Sequence, residues 1–516
     1  MPLLKKGIIA PGVEGLDFSK PPIFLTAQSG FSKNMRYRRG EMVKRPGKSK
    51  YGTAVIADAN PVVGLAVFED IGSQEKTLLR ISKTKFEKYT PSTDVWSSIA
   101  TTPFSGGDDD FFSFANVTNS KIIVVTNFVD RIRQWNGSGN NTVLGGNPPY
   151  ARFCAYLAPY LLLGDTNDGV DPSASKVAWC DTDDPETWSG GNSGSQALSD
   201  DASPLRGMLK LDQYVVAYKR DSLWLGRRND TDIFLFTCEK TGIGLASTRS
   251  AVDVAGTHYF MSQLQNLIDF HRWNGGIPEP IGGPVRDEIA SKIETSKIGR
   301  CFAVNMSHYD EVWFYIVLAG YSWPTEIYKY NYRTGFWYVD TCSEITSSVI
   351  WQRTSALTWD EISTSWDNML IRWDDALSAS GYEAILGDSR GWTLKEDVLV
   401  SDDDGVVVDG WYISPDYFGE GIREFKERWL QLDLLARGVG RVYVDYSLDH
   451  GDNWVNIPYT SVQAYVDLTA AYLTYHLYFD VVSDKIRFRL RNERSNETFY
   501  LRVLDAYYLK REKTGR

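Results

Sequence analysis

Cysteine is scarce in these 516 residues and never occurs as a close pair: the five copies stand at 154, 180, 238, 301 and 342, separated by 26, 58, 63 and 41 positions. That spacing excludes both a disulfide framework and a zinc site, and it reads as small buried hydrophobes in a reducing compartment. The five histidines, at 258, 271, 308, 450 and 476, are as scattered. None pairs with another at ligand spacing, so neither a zinc centre nor a Ser-His-Asp assembly can be nominated. Gly242-Ile243-Gly244 is too short for a dinucleotide fingerprint and lacks the following helix that would hold a pyrophosphate. The acidic runs Asp108-Asp109-Asp110 and Asp402-Asp403-Asp404 sit beside glycines without the spacing of a calcium loop, and read as blade loops. No catalytic residue, metal ligand or cofactor follows from this sequence.

Positive charge is also in deficit. With 55 Lys and Arg against 66 Asp and Glu, the net charge is −11, which argues against a surface that grips phosphates. An acidic wall would instead repel a passing polyanion and keep it moving. Long apolar runs are missing as well. The longest, Tyr156 to Leu163, is broken by Pro159 and is far too short to span a bilayer, and Met1 to Gly15 holds only the pairs Leu3-Leu4 and Ile8-Ile9, too little for a signal-peptide core.

What is present is a repeat. Aromatic anchors fall at Tyr89, Trp135, Trp179, Trp224, Trp273 and Tyr330, with gaps of 46, 44, 45, 49 and 57 residues. A strand-length apolar run precedes each, such as Ile122-Ile123-Val124-Val125 or Val312-Trp313-Phe314-Tyr315. Strand runs bounded by Asn, Asp, Gly and Pro at a period of about 40 to 50 predict four-stranded β-propeller blades. One blade cannot bury both of its faces, so several must stack into a ring. Six units are counted, and a seventh around Ala384 to Leu394 lies behind an insertion.

The predicted class is therefore all-β: a six-bladed or seven-bladed propeller with an extended N-terminal arm and a C-terminal β-sandwich. The arm covers residues 1–50, the propeller 51–340, an insertion with a last blade or tip 341–409, and the sandwich 410–516. The arm is basic, with Arg36, Arg38, Arg39, Lys44, Arg45, Lys48 and Lys50 inside 15 positions. It reads either as a solvated charge run or as a contact for an acidic partner subunit. A helix is expected over Pro284 to Ile298, with Ile289 and Ile293 on one face. Trp359-Asp360, Trp366-Asp367 and Trp373-Asp374 recur every seven residues, as a helix seam or as three tight turns. From Gly410 onward, alternation such as Leu430, Leu432, Leu434 and Ile486, Phe488, Leu490 favours a sandwich over a barrel.

Ser447-Leu448-Asp449-His450-Gly451-Asp452-Asn453-Trp454 fits Ser-x-Asp-x-Gly-x-x-Trp, the Asp box, in which Ser447, Asp449 and Gly451 tie a hairpin turn over Trp454. Sialidase propellers carry several such boxes. One copy outside the ring is a structural turn, but it keeps open a glycan-binding or glycan-hydrolysing propeller, an alternative that 17 Trp and 29 Tyr also suit.

Three segments carry a resemblance: Asn34-Met35 to Lys44-Arg45-Pro46-Gly47; Val216-Ala217-Tyr218-Lys219 through Thr241-Gly242-Ile243-Gly244 to Trp273-Asn274-Gly275 and Pro280-Ile281-Gly282; and Lys426 to Trp454. With them the chain resembles the β-propeller nozzle and plug proteins of short-tailed bacteriophages, including packaged-DNA stabilisation proteins. The resemblance implies a non-enzymatic virion protein made in the host cytoplasm. It implies a homo-hexameric ring below the portal and its adaptor ring, which extends the exit channel for double-stranded DNA, retains the packaged genome and docks tail fibres or spikes. In that setting the basic residues Arg36, Arg38, Arg39, Lys44 and Arg45 are candidate partner contacts.

Overall fold

The computed structural model describes residues 5–9, 13–38, 40–100, 102–167, 175–264, 267–352, 381–418 and 426–510. The Trp-Asp repeat of 359–374 lies outside these described residues.

Seven four-stranded antiparallel sheets make the propeller. The second blade shows the pattern, with Ser113–Val117, Ile122–Thr126, Arg133–Trp135 and Thr142–Val143 in spatial order. The apolar runs form the second strands, buried on both faces; Ile122–Thr126 is buried throughout. The aromatic anchors sit on the third strands, as at Trp135, Trp179, Trp224, Trp273 and Tyr330. The first strands pack against one another around the axis, and the ring closes where Ile345–Gln352 meets Gly64–Asp70.

The seventh blade settles the count. It consists of Ile345–Gln352, Tyr382–Asp388 and Thr393–Asp397, and its outermost strand is Gly47–Lys50 from the N-terminal segment. Leu394, Lys395, Glu396 and Asp397 pair in register with Lys50, Ser49, Lys48 and Gly47. Chain entry thus covers the edge that chain exit would expose, which removes a template for edge-to-edge aggregation.

The described strands within the expected arm are accordingly paired into sheets instead of standing apart. Lys5–Ile9 pairs with Thr498–Lys510, Phe31–Lys33 with Gly410–Ile413, and the hairpin of Met35–Arg38 and Glu41–Lys44 adds to the same edge of Thr498–Lys510, at Tyr500 and Leu501. These strands complete the sandwich, whose spine is the 21-residue strand Glu427–Ser447. Its first half pairs with Leu473–Ser483 and Thr498–Lys510, its second half with Arg487–Asn492. Gly440, with φ +93°, marks the bend between them. Trp429, Leu432, Val444, Leu477, Phe488, Phe499 and Leu501 fill the core between the layers.

The expected helix is shorter than predicted. Arg286–Lys292 is α-helical and Ile293 turns extended, before a 3-10 stretch over Thr295–Arg300. Ile289 and Ile293 are both buried, as their spacing suggested.

Candidate functional site

The basic segment is where expectation and structure part. Arg36, Lys44 and Arg45 are buried, at 6%, 2% and 3% exposure, and are engaged within the chain instead of facing a partner. Arg45 donates from Nη1 and Nη2 to Asp403 Oδ1 and Oδ2 at 2.8 and 2.7 Å, from Nε to Asn34 Oδ1 at 2.9 Å, and to the carbonyls of Pro46 and Thr341. Lys48 Nζ adds a 2.7 Å bond to the same Asp403. Arg36 lies 3.6 Å from Glu396 and stacks 4.9 Å above the Tyr309 ring. Lys329, 2.5 Å from Asp340, lies over Trp313 at 3.6 Å. Arg38 stacks on the same Tyr309 ring at 5.2 Å, and Arg39 lies outside the described residues.

Four cations and four carboxylates therefore share a buried region between the sandwich and blades six and seven: Arg45 and Lys48 pair with Asp403, Arg36 and Lys329 with Glu396, and Lys329 with Asp340, while Glu311 is coupled electrostatically to Arg36 and Lys329, and Asp340 to Arg45. Burial alone would raise the Asp403 carboxyl, but Lys48 and Arg45 outweigh it and hold it below the usual range. At Lys44 burial outweighs the nearby Asp402 and Glu497 carboxylates. Burial pulls it down to about 8, and its Nζ is satisfied by Asn492 Oδ1 at 2.7 Å and the Glu497 carbonyl at 2.8 Å. The acidic runs prove to be connectors: Asp402 accepts from the Asn496 N–H, and Asp109 takes Arg300 at 2.6 and 3.0 Å.

The Asp-box residues come together as the motif requires. Ser447 Oγ donates to Asp449 Oδ1 at 2.7 Å and accepts from the Gly451 N–H at 2.9 Å; Asp449 also accepts from the Asn453 N–H at 2.9 Å. Those bonds, led by the Asn453 backbone, hold the Asp449 carboxyl well below its usual range. Gly451 takes φ +100°, and Trp454 carries Arg489 at 4.5 Å. The turn closes the hairpin of Glu427–Ser447 and Val455–Asn456, and its His450 bonds Asp416 and Lys485 while Arg487 donates to the His450 carbonyl at 2.7 Å.

The histidines stay apart. His258 bonds the Tyr218 hydroxyl at 2.6 Å and the Lys210 carbonyl at 2.8 Å, while His476 meets Asp433 at 2.7 Å. Among the described residues no group of three His, Cys, Asp or Glu could hold a metal ion.

Sequence reasoning missed the propeller axis. Arg249, which precedes blade five, donates from Nη1 to the carbonyls of Thr346 at 2.9 Å and Val63 at 3.2 Å, and lies 3.8 Å from the Phe111 ring and 5.0 Å from Phe302. These partners begin blades seven, one, two and six, which meet only at the axis. Beside this plug opens a cavity of about 790 Å³ against the innermost strands of blades two to four.

Fold and geometry define an all-β protein: a seven-bladed β-propeller locked to a β-sandwich by its own N-terminal strands. No family model matches the chain, and no curated protein aligns with it. Among solved structures it is similar to YCF48 bound to D1 peptide, at 9% identity and TM-score 0.39 over 71% of this chain and 99% of that one. It is also similar to YCF48 from Cyanidioschyzon merolae, at 8% identity and TM-score 0.38 over 68% and 98%. An exo-beta-1,3-galactanase from Phanerochaete chrysosporium follows at 10% identity and TM-score 0.25 over 89% and 100%. No helix of the described residues is long and apolar enough to cross a membrane.

Proposed function

We propose that the protein is a structural, non-enzymatic component of a short-tailed bacteriophage tail, a nozzle or plug that assembles as a sixfold ring below the portal and adaptor. The observation that carries this reading is the buried ion cluster of Arg36, Arg45, Lys48 and Lys329 with their carboxylates, together with the N-terminal strand Gly47–Lys50 that completes blade seven. Identical subunits close into a ring through heterologous contacts only if each keeps a fixed wedge shape. A propeller welded to its sandwich by a balanced ion network is such a body.

The net charge of −11 suits a wall along which DNA slides without adhering. Because Arg249 and Phe111 fill the propeller axis, the passage in this reading runs between copies, on the ring axis. The outer faces are left to fibres or spikes. Mass photometry of the purified chain over a concentration series, followed by averaged electron micrographs, tests the assembly; a closed ring near six copies with a central hole is expected. Peptide mass spectrometry of purified virions tests the setting, and a particle without this chain would overturn it.

A further inference from the structure

Burying a charge without a counter-ion is costly, and native proteins almost always pair such groups. Arg249 breaks that rule. It forms no ion pair among the described residues, and its buried Nε and Nη2 have no acceptor; only two carbonyls and the Phe111 and Phe302 rings attend it. Burial lowers its proton affinity, yet a guanidinium keeps its charge at neutral pH. Two neighbours share this unmet capacity. Thr248 Oγ1 and the Tyr156 hydroxyl, which line the same cavity, are also buried without a partner.

The lining of this cavity has the opposite sign to the whole chain. Arg152, Lys210, Arg249, Lys297 and Arg300 contribute cations, and Asp109 is the sole carboxylate. Arg300 neutralises Asp109 at 2.6 Å, and Arg152 meets Asp165 from outside the lining at 2.7 Å, while Lys210 is exposed and has no ion pair among the described residues. The remaining wall is apolar and aromatic, led by Phe112, Phe153 and Met208. A volume of about 790 Å³ lies within the range of small-molecule sites, roughly 300–1,000 Å³, which combine apolar walls with a few placed polar groups. Arg249, stacked on Phe111, forms part of the cavity wall.

We propose that the axial cavity is a binding site for a small organic anion, a flat apolar body bearing one carboxylate or phosphate, held through Arg249 and Lys210. Thr248 and Tyr156 supply hydrogen bonds, and the phenylalanines take the apolar body. This site stands apart from the ring-assembly reading and survives its failure.

Isothermal titration calorimetry of the full chain at low salt, with phenyl phosphate, benzoate, inorganic phosphate and benzamide, tests the assignment. One saturable site is expected for at least one of the two aromatic anions, with inorganic phosphate weaker by about tenfold or more and benzamide silent. The tighter of benzoate and phenyl phosphate identifies the head group. Lys210→Glu, on an exposed side chain, should weaken binding by about fivefold or more, and Arg249→Gln by about tenfold or more, the loss expected when a paired charge is removed. The proposal is overturned if neither aromatic anion binds, if benzamide binds as well as benzoate, or if Lys210→Glu leaves the affinity unchanged.

Discussion

Arg45 grips Asp403 with both terminal nitrogens, at 2.8 and 2.7 Å, across 358 positions of sequence. The pair holds the start of the chain to the segment that leaves blade seven, and Lys48 shares the same carboxylate. Bidentate guanidinium–carboxylate geometry fixes orientation as well as distance. It therefore ties the connector that enters blade seven to the one that leaves it.

Asp403→Ala leaves Arg45 and Lys48 buried beside each other with no carboxylate between them. Breaking a buried ion cluster from one side costs about 3–5 kcal/mol, because the surviving charges stay desolvated. Denaturant titration should show that loss. Replacing all three residues together with apolar ones of similar size should return most of it. If the single variant unfolds at the wild-type midpoint, the network does not hold the junction.

The same carboxylate dictates a pH response. Lys48 and Arg45 keep Asp403 ionised below the usual range, despite burial, whereas in the unfolded chain an aspartate titrates near its ordinary value of about 3.9. As pH falls, the unfolded state binds the proton first, so the contribution is complete above about pH 5 and is lost as pH drops toward the folded value. Asp340 and Glu396, held low by Lys329, share that sign, while burial gives Glu311 the opposite one. The stability difference between wild type and Asp403→Asn isolates the residue. It should be largest near pH 7 and shrink steadily below pH 5; a constant difference over that range would contradict the pairing.

Blade closure depends on Gly47. A Cβ at this position would lie 2.1 Å from the Asp402 carbonyl oxygen and 2.5 Å from its nitrogen, both backbone atoms that cannot swing aside. Gly47→Ala should cost about 1–3 kcal/mol, as overpacking does. Hydrogen exchange should rise first in Thr393–Asp397, the strand that Gly47–Lys50 covers. Unchanged protection there would mean that the seventh blade stands without its N-terminal strand.

The propeller was legible because its signal is local. Second-strand runs such as Ile122–Thr126 are buried on both faces, and anchors such as Trp135 recur at a near-constant period. The seventh blade was harder to see: its outer strand, Gly47-Lys48-Ser49-Lys50, carries no apolar alternation and pairs with residues 344 to 350 positions away. The basic segment misled for a related reason. A run of Arg and Lys looks the same whether solvent or distant carboxylates receive it, and Glu311, Asp340, Glu396 and Asp403 give no hint in sequence that they converge. The Asp box was visible as a motif because Ser447, Asp449 and Gly451 are close in sequence and bond within one hairpin. Arg249 escaped notice because its partners come from four other blades and share no motif.

The cysteines give a test of packing as a whole. Cys154, Cys180, Cys301 and Cys342 are buried, and Cys238 is partly exposed; none is bonded to another. Burial pushes the first, third and fourth thiols up to about 12 and Cys180 up to about 11, so almost no thiolate exists at neutral pH. Since the thiolate is the reacting species, a thiol-specific reagent at pH 7.5 should modify Cys238 first and the other four only after denaturation. Cys238 is itself slowed, because burial and the nearby Asp200 and Asp201 carboxylates raise its pKa. Peptide mapping after brief labelling distinguishes the sites. Rapid modification of Cys301 would be the informative failure: its backbone carbonyl accepts from Ser247 at 2.6 Å next to the axial plug, so a reactive thiol there would mean that the propeller opens at its axis.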